Sequence, residues 1–454
     1  MNAQKVDAVV VVGGGAAGAL AAVAARRAGA QVIMVRRGGG ATTQSSGAVD
    51  VAEDHEGKPL GPARSAFSSG APYLDAARRL AARNPFHPYA RTDGCVDAIP
   101  DALKLLTEVA AAVELQGSTQ PGRNLVLASV MGTVKRSALA QSCMVAGDLA
   151  QETVKPGEKI GVVHMAGLPL ADGRHVVATL RYLGMLGAGG EGGAPNLHAL
   201  EVSHFRRRRD ALRAPRELAL ALESEGGGVA LGQALKAALK DSGGVDRVLL
   251  PPLLGLTHMP DVFRLVQEAA GVPVAELLSL PPSVPGERLQ RALDEGVKHA
   301  GVEVMEGEAT RALVDGKRVV GLEVKLASGG APQEVRTRSV VLCTGKYLSG
   351  GIRREHRFFE PLLDLPVFID GRHVTEGFVG DETSSRPEEQ QPFLRAGVLT
   401  DPQLRPLDAH LREPVFGNVY AAGSVLGGYD PTRERSGLGV AAVTGMLAGR
   451  WAAR

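Results

Sequence analysis

The sequence contains three cysteines, and they are spread too widely for a disulfide framework or a metal cluster. Cys95, Cys143 and Cys343 form no CxxC pair, whereas zinc and iron–sulfur sites need closely grouped thiolates or imidazoles. Secreted domains stabilised by disulfides carry many cysteines in far shorter chains. The cysteine content therefore predicts reduced thiols in a cytoplasmic protein, with no structural disulfide and no bound metal.

An excess of one charge is also missing, and aromatic residues are few. The chain has 51 Lys and Arg against 49 Asp and Glu, and aromatics make up 4%. Proteins that bind nucleic acid need a basic excess, and single-strand binders need aromatic rings for stacking. No nucleic-acid partner is therefore expected. With 44% hydrophobic residues the chain is globular, and its 454 residues predict about two to three domains.

One long uncharged run stands out, at residues 8–25. Its length is that of a short membrane span or of a signal peptide. Four glycines lie in its middle, however, and Lys5 and Asp7 precede it in place of a basic segment. A strand, a tight turn and a helix fit this segment better, so we expect membrane association only through a partner.

Glycine is abundant, with 58 residues, and the first cluster forms a nucleotide-binding motif. A Val-rich strand at residues 6–12 leads into GxGxxG, then an alanine-rich helix, then a second strand at residues 31–35. In this βαβ unit the glycines permit a tight turn and let a phosphate approach the backbone. The predicted cofactor contacts of the turn are Gly13, Gly15, Ala16, Ala17 and Gly18. The alternative is a glycine-rich turn in an α/β domain that binds nothing.

The end of the second strand departs from this motif. An acid normally follows about 20 residues on and hydrogen-bonds the adenosine ribose, but this chain has Arg36 and Arg37 there. An arginine could hold the ribose or phosphate, the nucleotide could lack adenosine, or the site could prefer NADP. The motif alone leaves the cofactor open.

Two further glycine-rich segments suit close contact with a flat ring or a phosphate. The loop GGGATTQSS ends in Ser45, Ser46 and Gly47, for which a solvated loop is the alternative. Near the end of the chain, a strand at residues 418–422 precedes Gly423 and Ser424, and a small-residue helix begins at GLG. Its first residues, Gly437, Leu438 and Gly439, would direct the positive end of the helix dipole at a ligand. An ordinary C-terminal helix is the alternative.

Strands and helices alternate through the middle of the chain, which predicts a parallel or mixed sheet. The predicted strands are residues 159–165, 247–250 and 274–280, and the predicted helices are residues 170–185, 204–225, 260–270 and 285–300. The chain then returns with strands at residues 302–305, 310–314, 318–324 and 340–343. Asp315 and Gly316 signal a hairpin turn, and the last of these strands runs into Thr344 and Gly345.

Five stretches resemble a known group of flavoproteins. They are SSGAVDVA (45–52), NPFHPYA (84–90), LLSLPPSVPGERLQ (277–290), TGKYLSGG (344–351) and AAGSVLGGYDP (421–431). The chain resembles the glutathione-reductase-like flavoproteins with two dinucleotide-binding domains, which include fumarate reductases and aspartate oxidases. Within that group it is most similar to the B subunits of anaerobic glycerol-3-phosphate dehydrogenases.

The resemblance implies a Rossmann-like, glutathione-reductase-like α/β fold. Residues 1–155 would be the first part of the flavin-binding domain, residues 156–300 an inserted α/β domain for substrate or partner, and residues 301–454 the return segment. It implies a flavin, FAD or FMN, and a complex with two other proteins, one an FAD-bearing subunit and one a membrane-associated iron–sulfur subunit. Such a complex oxidises glycerol 3-phosphate to dihydroxyacetone phosphate and passes electrons to quinone.

The resemblance also implies roles for single residues. Gly13, Gly15 and Gly18 would hold the flavin phosphate, and the loop from Ser45 to Gly47 would pass the N5 side of the ring. Thr344 and Gly345 would cross the nucleotide, and Gly423 would belong to a second fingerprint whose ribitol-binding acid is replaced by Ser424. The helix start at residues 437–439 would face the flavin pyrimidine and stabilise the reduced anion.

Four residues are candidates for the chemistry of the substrate. Arg288 could bind a phosphate or carboxylate, or it could form a surface ion pair with Glu287 or Asp294. His258 is a candidate catalytic group because its ordinary pKa is near neutrality, although a lone histidine is more often structural. Arg433 and Arg435 could contact an anion or be solvated loop charges.

Three functions remain open at this point. The chain could be a flavin redox subunit that acts on glycerol 3-phosphate or relays its electrons. It could be a non-catalytic assembly partner that retains a flavoprotein fold. It could also be an NADP-dependent reductase that uses Arg36. The expected location is the cytoplasm, or the inner membrane through a partner subunit.

Overall fold

The computed structural model describes residues 8–53, 66–185, 195–205, 210–375, 378–386 and 389–454. Two features of the sequence, the glycine run at residues 187–193 and the arginine run at residues 206–209, lie outside the described residues.

Strands and helices alternate along the described chain. The strands are β1 (Ala8–Val12), β2 (Val32–Arg36), β3 (Leu125–Ala128), β4 (Val134–Ser137), β5 (Lys159–His164), β6 (Asn196–Glu201), β7 (Arg247–Leu250), β8 (Val274–Glu276), β9 (Glu303–Asp315), β10 (Arg318–Leu326), β11 (Gln333–Leu342), β12 (Arg353–Arg354), β13 (Phe358–Glu360), β14 (Leu365–Pro366), β15 (Phe368–Ile369), β16 (Arg372–His373) and β17 (Val419–Ala421). The α-helices are α1 (Ala16–Arg27), α2 (Tyr73–Arg83), α3 (Pro88–Arg91), α4 (Ile99–Val109), α5 (Ser142–Val145), α6 (Gly173–Met185), α7 (Pro215–Glu223), α8 (Gly227–Asp241), α9 (Met259–Ala270), α10 (Val284–His299), α11 (Pro431–Glu434) and α12 (Gly437–Ala452). Short 3-10 helices cover Gly40–Gln44, Ala111–Val113, Pro169–Ala171, Asp210–Leu212, Val379–Glu382, Pro392–Arg395 and Gly423–Val425.

The first sheet is parallel, with the strand order β9-β2-β1-β11-β17. Every residue of its central strand β1 is buried. A parallel sheet is covered on both faces, so its strands are continuous apolar runs, and AVVVV meets that requirement. The uncharged run at residues 8–25 thus folds as β1 and most of α1. This arrangement confirms the predicted Rossmann-like α/β fold.

Strands β9 and β11 of this sheet are long enough to extend beyond it, where both pair antiparallel with β10. The first residues of β9 pair with β2, and the rest pair antiparallel with β10, which pairs with the start of β11. Residues 303–305 and 310–314 are strand as predicted, but the predicted break between them was wrong, because β9 changes partner at Gly307 instead of ending. The predicted hairpin turn is confirmed: Asp315 pairs with Arg318, and Gly316 has a φ of +56°.

A second, four-stranded sheet is formed by the middle of the chain. All of its pairings are parallel, in the order β6-β5-β7-β8. Helices α6, α8 and α9 lie in the connections between its strands. The predicted alternation of strands and helices is therefore confirmed for this part of the chain.

One predicted helix of the middle region was wrong. A helix over residues 204–225 was expected, but the described residues form a 3-10 turn at Asp210–Leu212 and a helix α7 that begins at Pro215. Proline has no N–H group and a fixed φ, so it fits the first position of a helix and disrupts an interior. Phe205 also has a φ of +51°, which is incompatible with a right-handed helix.

Helix α10 follows the second sheet in sequence but contacts the first. Its Gly286 packs on the backbone of the segment at residues 43–45, where an added Cβ would lie 2.6 Å from Thr43 O and Ser45 O. Further along, Gln290 Nε2 donates to Gly14 O over 2.7 Å. The helix therefore supports the glycine turn that follows β1.

Helices α1 and α12 pack closely side by side. Added Cβ atoms on Gly445 and Gly449 would lie 2.4 Å from Ala17 O and 2.1 Å from Ala21 O. Glycine allows this distance because it has no side chain to separate the backbones. Across the residues that the structure describes, no helix combines the length and apolar character needed to cross a membrane.

Candidate functional site

A cleft of about 900 Å³ opens at the carboxyl ends of β1, β2 and β11. Ligands of open α/β sheets bind at this edge of the strands, and the volume is typical of a cofactor site. The walls come from the turn after β1, the loop after β2, the segment at residues 307–310 of β9, the loop after β11 and the start of α12.

Of the three glycines of the GxGxxG motif, one opens into the cleft and two pack against backbone. Gly13 has a φ of +123°, and its added Cβ would lie 2.1 Å from Cys343 O; that of Gly18 would lie 2.0 Å from Gly13 O. An added Cβ on Gly15, by contrast, would lie 3.3 Å from Thr42 Oγ1 and 3.9 Å from Gly39 O. The predicted contacts Gly13, Gly15, Ala16 and Ala17 line the cleft, whereas Gly18 lies behind it.

The start of α1 carries an uncompensated positive dipole end. Its N-cap residue is Gly15, which has no side chain to cap the helix, and no acid lies in the first turn. The Ala16 N–H donates to Thr42 Oγ1 over 3.0 Å, which joins the turn to the loop after β2. Free N–H groups and a positive dipole at a helix start form an anion site, so this turn suits a phosphate.

The two arginines at the end of β2 both have acidic partners. Arg36 forms ion pairs with Asp294 and Glu306; burial alone would lower its pKa, but these carboxylates raise it. Arg37 Nη1 lies 3.3 Å from Glu308 Oε1. Arg36, Arg37 and Glu308 all line the cleft. A carboxylate from β9 therefore lies at the end of the cleft where the ribose acid of β2 is missing.

The loop at residues 45–47, called the serine loop below, lies at the other end of the cleft. Ser45 and Ser46 line it, whereas Gly47 is buried beneath, with a φ of +84° and an added Cβ only 2.4 Å from Pro285 Cβ. Beside them the cleft is lined by Asp50 and Lys135, which form an ion pair with 3.2 Å between Nζ and Oδ2.

Asp50 and Lys135 were not among the site residues predicted from the sequence. Asp50 lies within the stretch SSGAVDVA that carries the resemblance, and that was the available signal. Lys135 comes from β4, far along the chain, and no local pattern relates it to the serine loop.

The loop that follows β11 also lies in the cleft. Thr344 and Gly345 line it, and the buried Thr344 Oγ1 has no hydrogen-bond partner among the described residues. Gly345 has a φ of +78°, and its added Cβ would lie 2.2 Å from Ser349 Oγ. An unpartnered buried hydroxyl is costly unless a ligand or water satisfies it, so Thr344 is suited to contact a bound nucleotide.

The C-terminal glycine segments, like the first glycine motif, contain some residues that line the cleft and others that pack behind it. Ser424, Gly437 and Leu438 line the cleft. Gly423 and Gly439 lie behind it: an added Cβ would come within 2.6 Å of Ala17 Cβ and 2.7 Å of Val51 Cα, respectively. Helix α12 has no acid in its first turn, and its start lies at the cleft, where the Leu438 N–H donates to Asp50 Oδ1 over 3.3 Å.

The structure does not bring the four substrate candidates to the cleft. Arg288 is 2% exposed and is bound to Glu276 through two contacts of 2.6 and 2.8 Å. Its expected ion pair with Glu287 or Asp294 is therefore wrong. His258 is exposed at the start of α9, and neither it nor Arg433 or Arg435 is among the lining residues.

Metal-binding residues are not grouped in the described part of the chain. No cluster of three His, Cys, Asp or Glu side chains lies close enough there to hold a metal ion. The three cysteines are buried free thiols, and burial raises the pKa of Cys343, the one that lines the cleft. It is therefore a neutral thiol.

The cleft fits a flavin dinucleotide. The open position at Gly15 and the start of α1, which has no acid in its first turn, suit the phosphates, and the unpartnered Thr344 hydroxyl offers a hydrogen bond. The serine loop and the start of α12 form a second end, which suits a ring that gains negative charge on reduction. Where the two expected acids are missing, at Arg36 and Ser424, the cleft is lined by Arg36 with Glu308 nearby on β9 and by the Ser424 hydroxyl.

Comparisons with known proteins agree with this geometry. A family model described as the FAD binding domain matches residues 8–440. The B subunit of anaerobic glycerol-3-phosphate dehydrogenase from Yersinia enterocolitica is 34% identical over 205 residues, which is 44% of this chain and 45% of that protein. The chain thus matches less than half of that relative's length.

Two further proteins are similar over longer spans. The B subunit of the same enzyme from Pectobacterium carotovorum is 28% identical over 409 residues, covering 88% of each chain. The crystal structure of 3-ketosteroid delta1-dehydrogenase from Sterolibacterium denitrificans has a TM-score of 0.42 and 14% identity, covering 99% of this chain and 100% of that one.

Proposed function

Because the chain belongs to the FAD binding domain family, we propose that it is a dehydrogenase subunit of the glycerol-3-phosphate type. It is a flavoprotein oxidoreductase, and its cofactor is FAD. In this proposal it oxidises the secondary alcohol of glycerol 3-phosphate to dihydroxyacetone phosphate, or it relays electrons that a partner removes. Quinone would receive them through a second FAD-bearing subunit and an iron–sulfur subunit. The names of the relatives support this assignment.

The observation that carries the proposal is that the starts of two helices, α1 and α12, line one cleft. Neither helix has an acid in its first turn or a capping bond from its own N-cap side chain, and the only side chains described on their first N–H groups are Thr42 and Asp50 of the cleft itself. The start of α1 suits the phosphates, and the start of α12 suits the ring. In this proposal the reactive ring would lie at the end of the cleft that contains Ser46 and Leu438.

The chain's own residues would then perform three tasks. Gly15 leaves room for the phosphates, and Thr344 donates a hydrogen bond to the nucleotide. The start of α12 stabilises negative charge on the ring. Bound FAD supplies the acceptor for a hydride. The chain would work in the cytoplasm and meet the inner membrane only through a partner subunit.

The proposal is tested by spectroscopy on the purified full chain without oxygen. Bound oxidised flavin absorbs at about 450 nm. The mass of the nucleotide released on denaturation identifies it as FAD or FMN. Addition of glycerol 3-phosphate should bleach this band. Bleaching only in the presence of the partner subunits would indicate electron relay. Colourless protein would favour the non-catalytic assembly partner, and bleaching by NADPH alone would favour the reductase.

Substitution of Gly15 should remove the flavin while the fold remains. Gly15→Asp places a carboxylate where the phosphates bind, so we expect flavin content to fall below about a tenth of the wild-type value through charge repulsion. Gly380→Asp is the matched control, since an added Cβ there meets nothing within 4 Å. Retention of full flavin content in Gly15→Asp would place the nucleotide elsewhere.

A further inference from the structure

The ion pair of Asp50 and Lys135 is the one charged feature at the α12 end of the described cleft lining. Lys135 Nζ lies 3.2 Å from Asp50 Oδ2, and their side chains are 15% and 10% exposed. The same ammonium donates to Ser46 Oγ over 3.3 Å. Asp50 Oδ1 also accepts from the Leu438 N–H over 3.3 Å. The pair therefore joins the serine loop to the start of α12.

This pair is an expensive way to stabilise a fold. A largely buried ion pair loses hydration that its attraction repays poorly, and apolar residues of similar size often serve stability as well. The Lys135 side chain is nevertheless carried into the cleft by β4, which pairs with the fully buried strand β3. The position of the charges at the cleft surface points to a role with a ligand.

The other titratable groups of the described lining do not compete for this role. Arg36, Arg37, Glu308, Arg353 and Glu360 lie with the loops after β2 and β11 and with β9 and β13. Tyr429 shares the α12 end, but burial raises its pKa, so it is a neutral phenol. Asp50 and Lys135 are therefore the charged pair beside the predicted ring position.

We propose that Asp50 and Lys135 are the catalytic residues that act on the hydroxyl group of the substrate. This inference rests on the proposed function. The Asp50 carboxylate would accept the hydroxyl proton as the C–H bond breaks, and bound FAD would supply the acceptor for the hydride. The C–O bond becomes a carbonyl, and the Lys135 ammonium stabilises the negative charge that develops on the oxygen.

The hydrogen-bond capacity of both groups permits these roles. An ammonium has three donors, and the described contacts of Lys135 use two of them, on Asp50 and Ser46. A carboxylate has about four acceptor positions, and Asp50 uses two, for Lys135 and Leu438. Each group therefore retains a position for the substrate oxygen.

The test measures anaerobic flavin reduction by glycerol 3-phosphate in Asp50→Asn and Lys135→Met. Loss of a general base slows a reaction by about 100-fold or more, so we expect that loss in the rate of reduction at saturating substrate, with flavin content unchanged. Lys135→Arg should recover part of the rate. Lys317→Met is the control, because Lys317 is 72% exposed and paired with Glu413 outside the cleft lining.

A second measurement does not depend on the substrate. Sulfite adds to the ring of oxidised flavins, and the anionic adduct is stabilised by a nearby cation. Lys135→Met should weaken sulfite affinity by about tenfold or more, and Asp50→Asn should strengthen it, because a neighbouring charge attracts or repels the adduct. These opposite directions separate a charge effect from general damage. The double variant Asp50→Asn with Lys135→Met preserves net charge if a single variant does not fold.

The outcomes distinguish the two proposals. Wild-type protein that holds FAD but is not reduced by glycerol 3-phosphate would contradict the proposed substrate, while the sulfite measurements would still test where the pair lies. Wild-type rates of reduction in both single variants, with unchanged sulfite affinity, would overturn the assignment of Asp50 and Lys135.

Discussion

Arg288 is among the largest side chains that the fold buries completely. Its guanidinium binds both carboxylate oxygens of Glu276, at 2.6 and 2.8 Å, and its Nε donates to Gly255 O over 2.6 Å. Burial alone would lower the pKa of Arg288, but Glu276 raises it. The arginine therefore joins helix α10 to the end of β8 and remains charged in the interior.

Removal of Arg288 should destabilise the protein strongly. Arg288→Met leaves the buried Glu276 carboxylate without its positively charged partner, with hydrogen bonds only from the Leu254 N–H and the Cys143 thiol, and a loss of about 3–5 kcal/mol is expected for such a break. Urea unfolding followed by circular dichroism measures this change. In the control Arg291→Met, which loses a half-exposed pair with Glu287, the loss should be at most about 1 kcal/mol. A stable Arg288→Met protein with impaired substrate binding would instead restore Arg288 as a substrate contact.

Glu360 should make the stability of the protein depend on pH. Its side chain is 0% exposed, and burial raises its pKa from 4.5 to about 7 despite hydrogen bonds from the N–H groups of Leu362 and Leu363. The folded state therefore holds this proton more tightly than the unfolded state. Stability falls as the pH rises from about 4.5 to about 7, by on the order of 3 kcal/mol at about 1.4 kcal/mol per pKa unit.

Thermal unfolding at pH 5 and pH 8 tests this effect, with a comparison between the wild type and Glu360→Gln. The glutamine variant loses one hydrogen bond at both pH values, so its stability should differ less between them. An equal drop from pH 5 to pH 8 in both proteins would assign the dependence to other groups.

At the scale of helices, strands and turns, the sequence predicted the structure correctly where the residues of one segment determine its conformation. The strand, glycine turn and helix over residues 8–27 were predicted because a Val run, GxGxxG and alanines follow in order. The turn at Asp315 and Gly316 was predictable for the same reason. Two glycine segments distant in sequence, at residues 344–345 and 437–439, were placed by resemblance, and the cleft contains residues of both.

The remaining features depend on contacts between distant segments. Arg288 has its partner Glu276 on β8, and the spacing within α10 suggested Glu287 or Asp294 instead. Lys135 reaches Asp50 because the antiparallel pairing of β3 and β4 brings its side chain to the cleft lining. Such pairings are set by tertiary packing, so a single sequence gives no periodic or local signal for them.

The packing of α1 against α12 provides a prediction about these two helices. Gly449→Ala should stabilise an isolated helix by about 1 kcal/mol, but the added Cβ would lie 2.1 Å from Ala21 O. We therefore expect destabilisation of about 1–3 kcal/mol from overpacking, together with lower flavin content, since both helices begin at the cleft. Differential scanning calorimetry and absorbance measure the two effects.

A helical glycine with room around it provides the control. An added Cβ on Gly228 in α8 would lie 3.5 Å from Leu265 Cβ, which is an ordinary contact. Gly228→Ala should therefore stabilise the protein by up to about 1 kcal/mol. Equal stabilisation by both alanines would mean that α1 and α12 do not pack as closely as described.

The cleft is built from segments that are widely separated in the sequence. Its lining residues come from positions 12–50, 135, 307–310, 343–362 and 424–441, and α10 supports the turn after β1 from outside. The second sheet lies between the parts of the chain that build this cleft. Cofactor binding should therefore be coupled to the stability of the molecule, because a ligand that binds only the folded state stabilises it.

The length of the cleft should make FAD a better ligand than FMN. The cleft runs from Leu438 at the start of α12 to Glu308 on β9, and the end of β2 is where this fold holds the adenosine ribose. FAD at 100 times its Kd should stabilise the apoprotein by about 2.7 kcal/mol, and the same concentration of FMN should stabilise it less. Thermal shifts of apoprotein with each nucleotide measure this difference.

A variant of Glu308, the β9 carboxylate, tests whether the adenosine half of FAD accounts for this difference. Glu308→Ala removes the acid that takes the place of the missing ribose acid, so it should reduce the thermal shift with FAD and leave the shift with FMN unchanged. Glu334→Ala is the control, since this exposed residue pairs with Arg336 and is not among the cleft-lining residues. Equal losses for both nucleotides in Glu308→Ala would mean that Glu308 supports the fold of the cleft, whereas no loss for either would mean that adenosine lies away from β9.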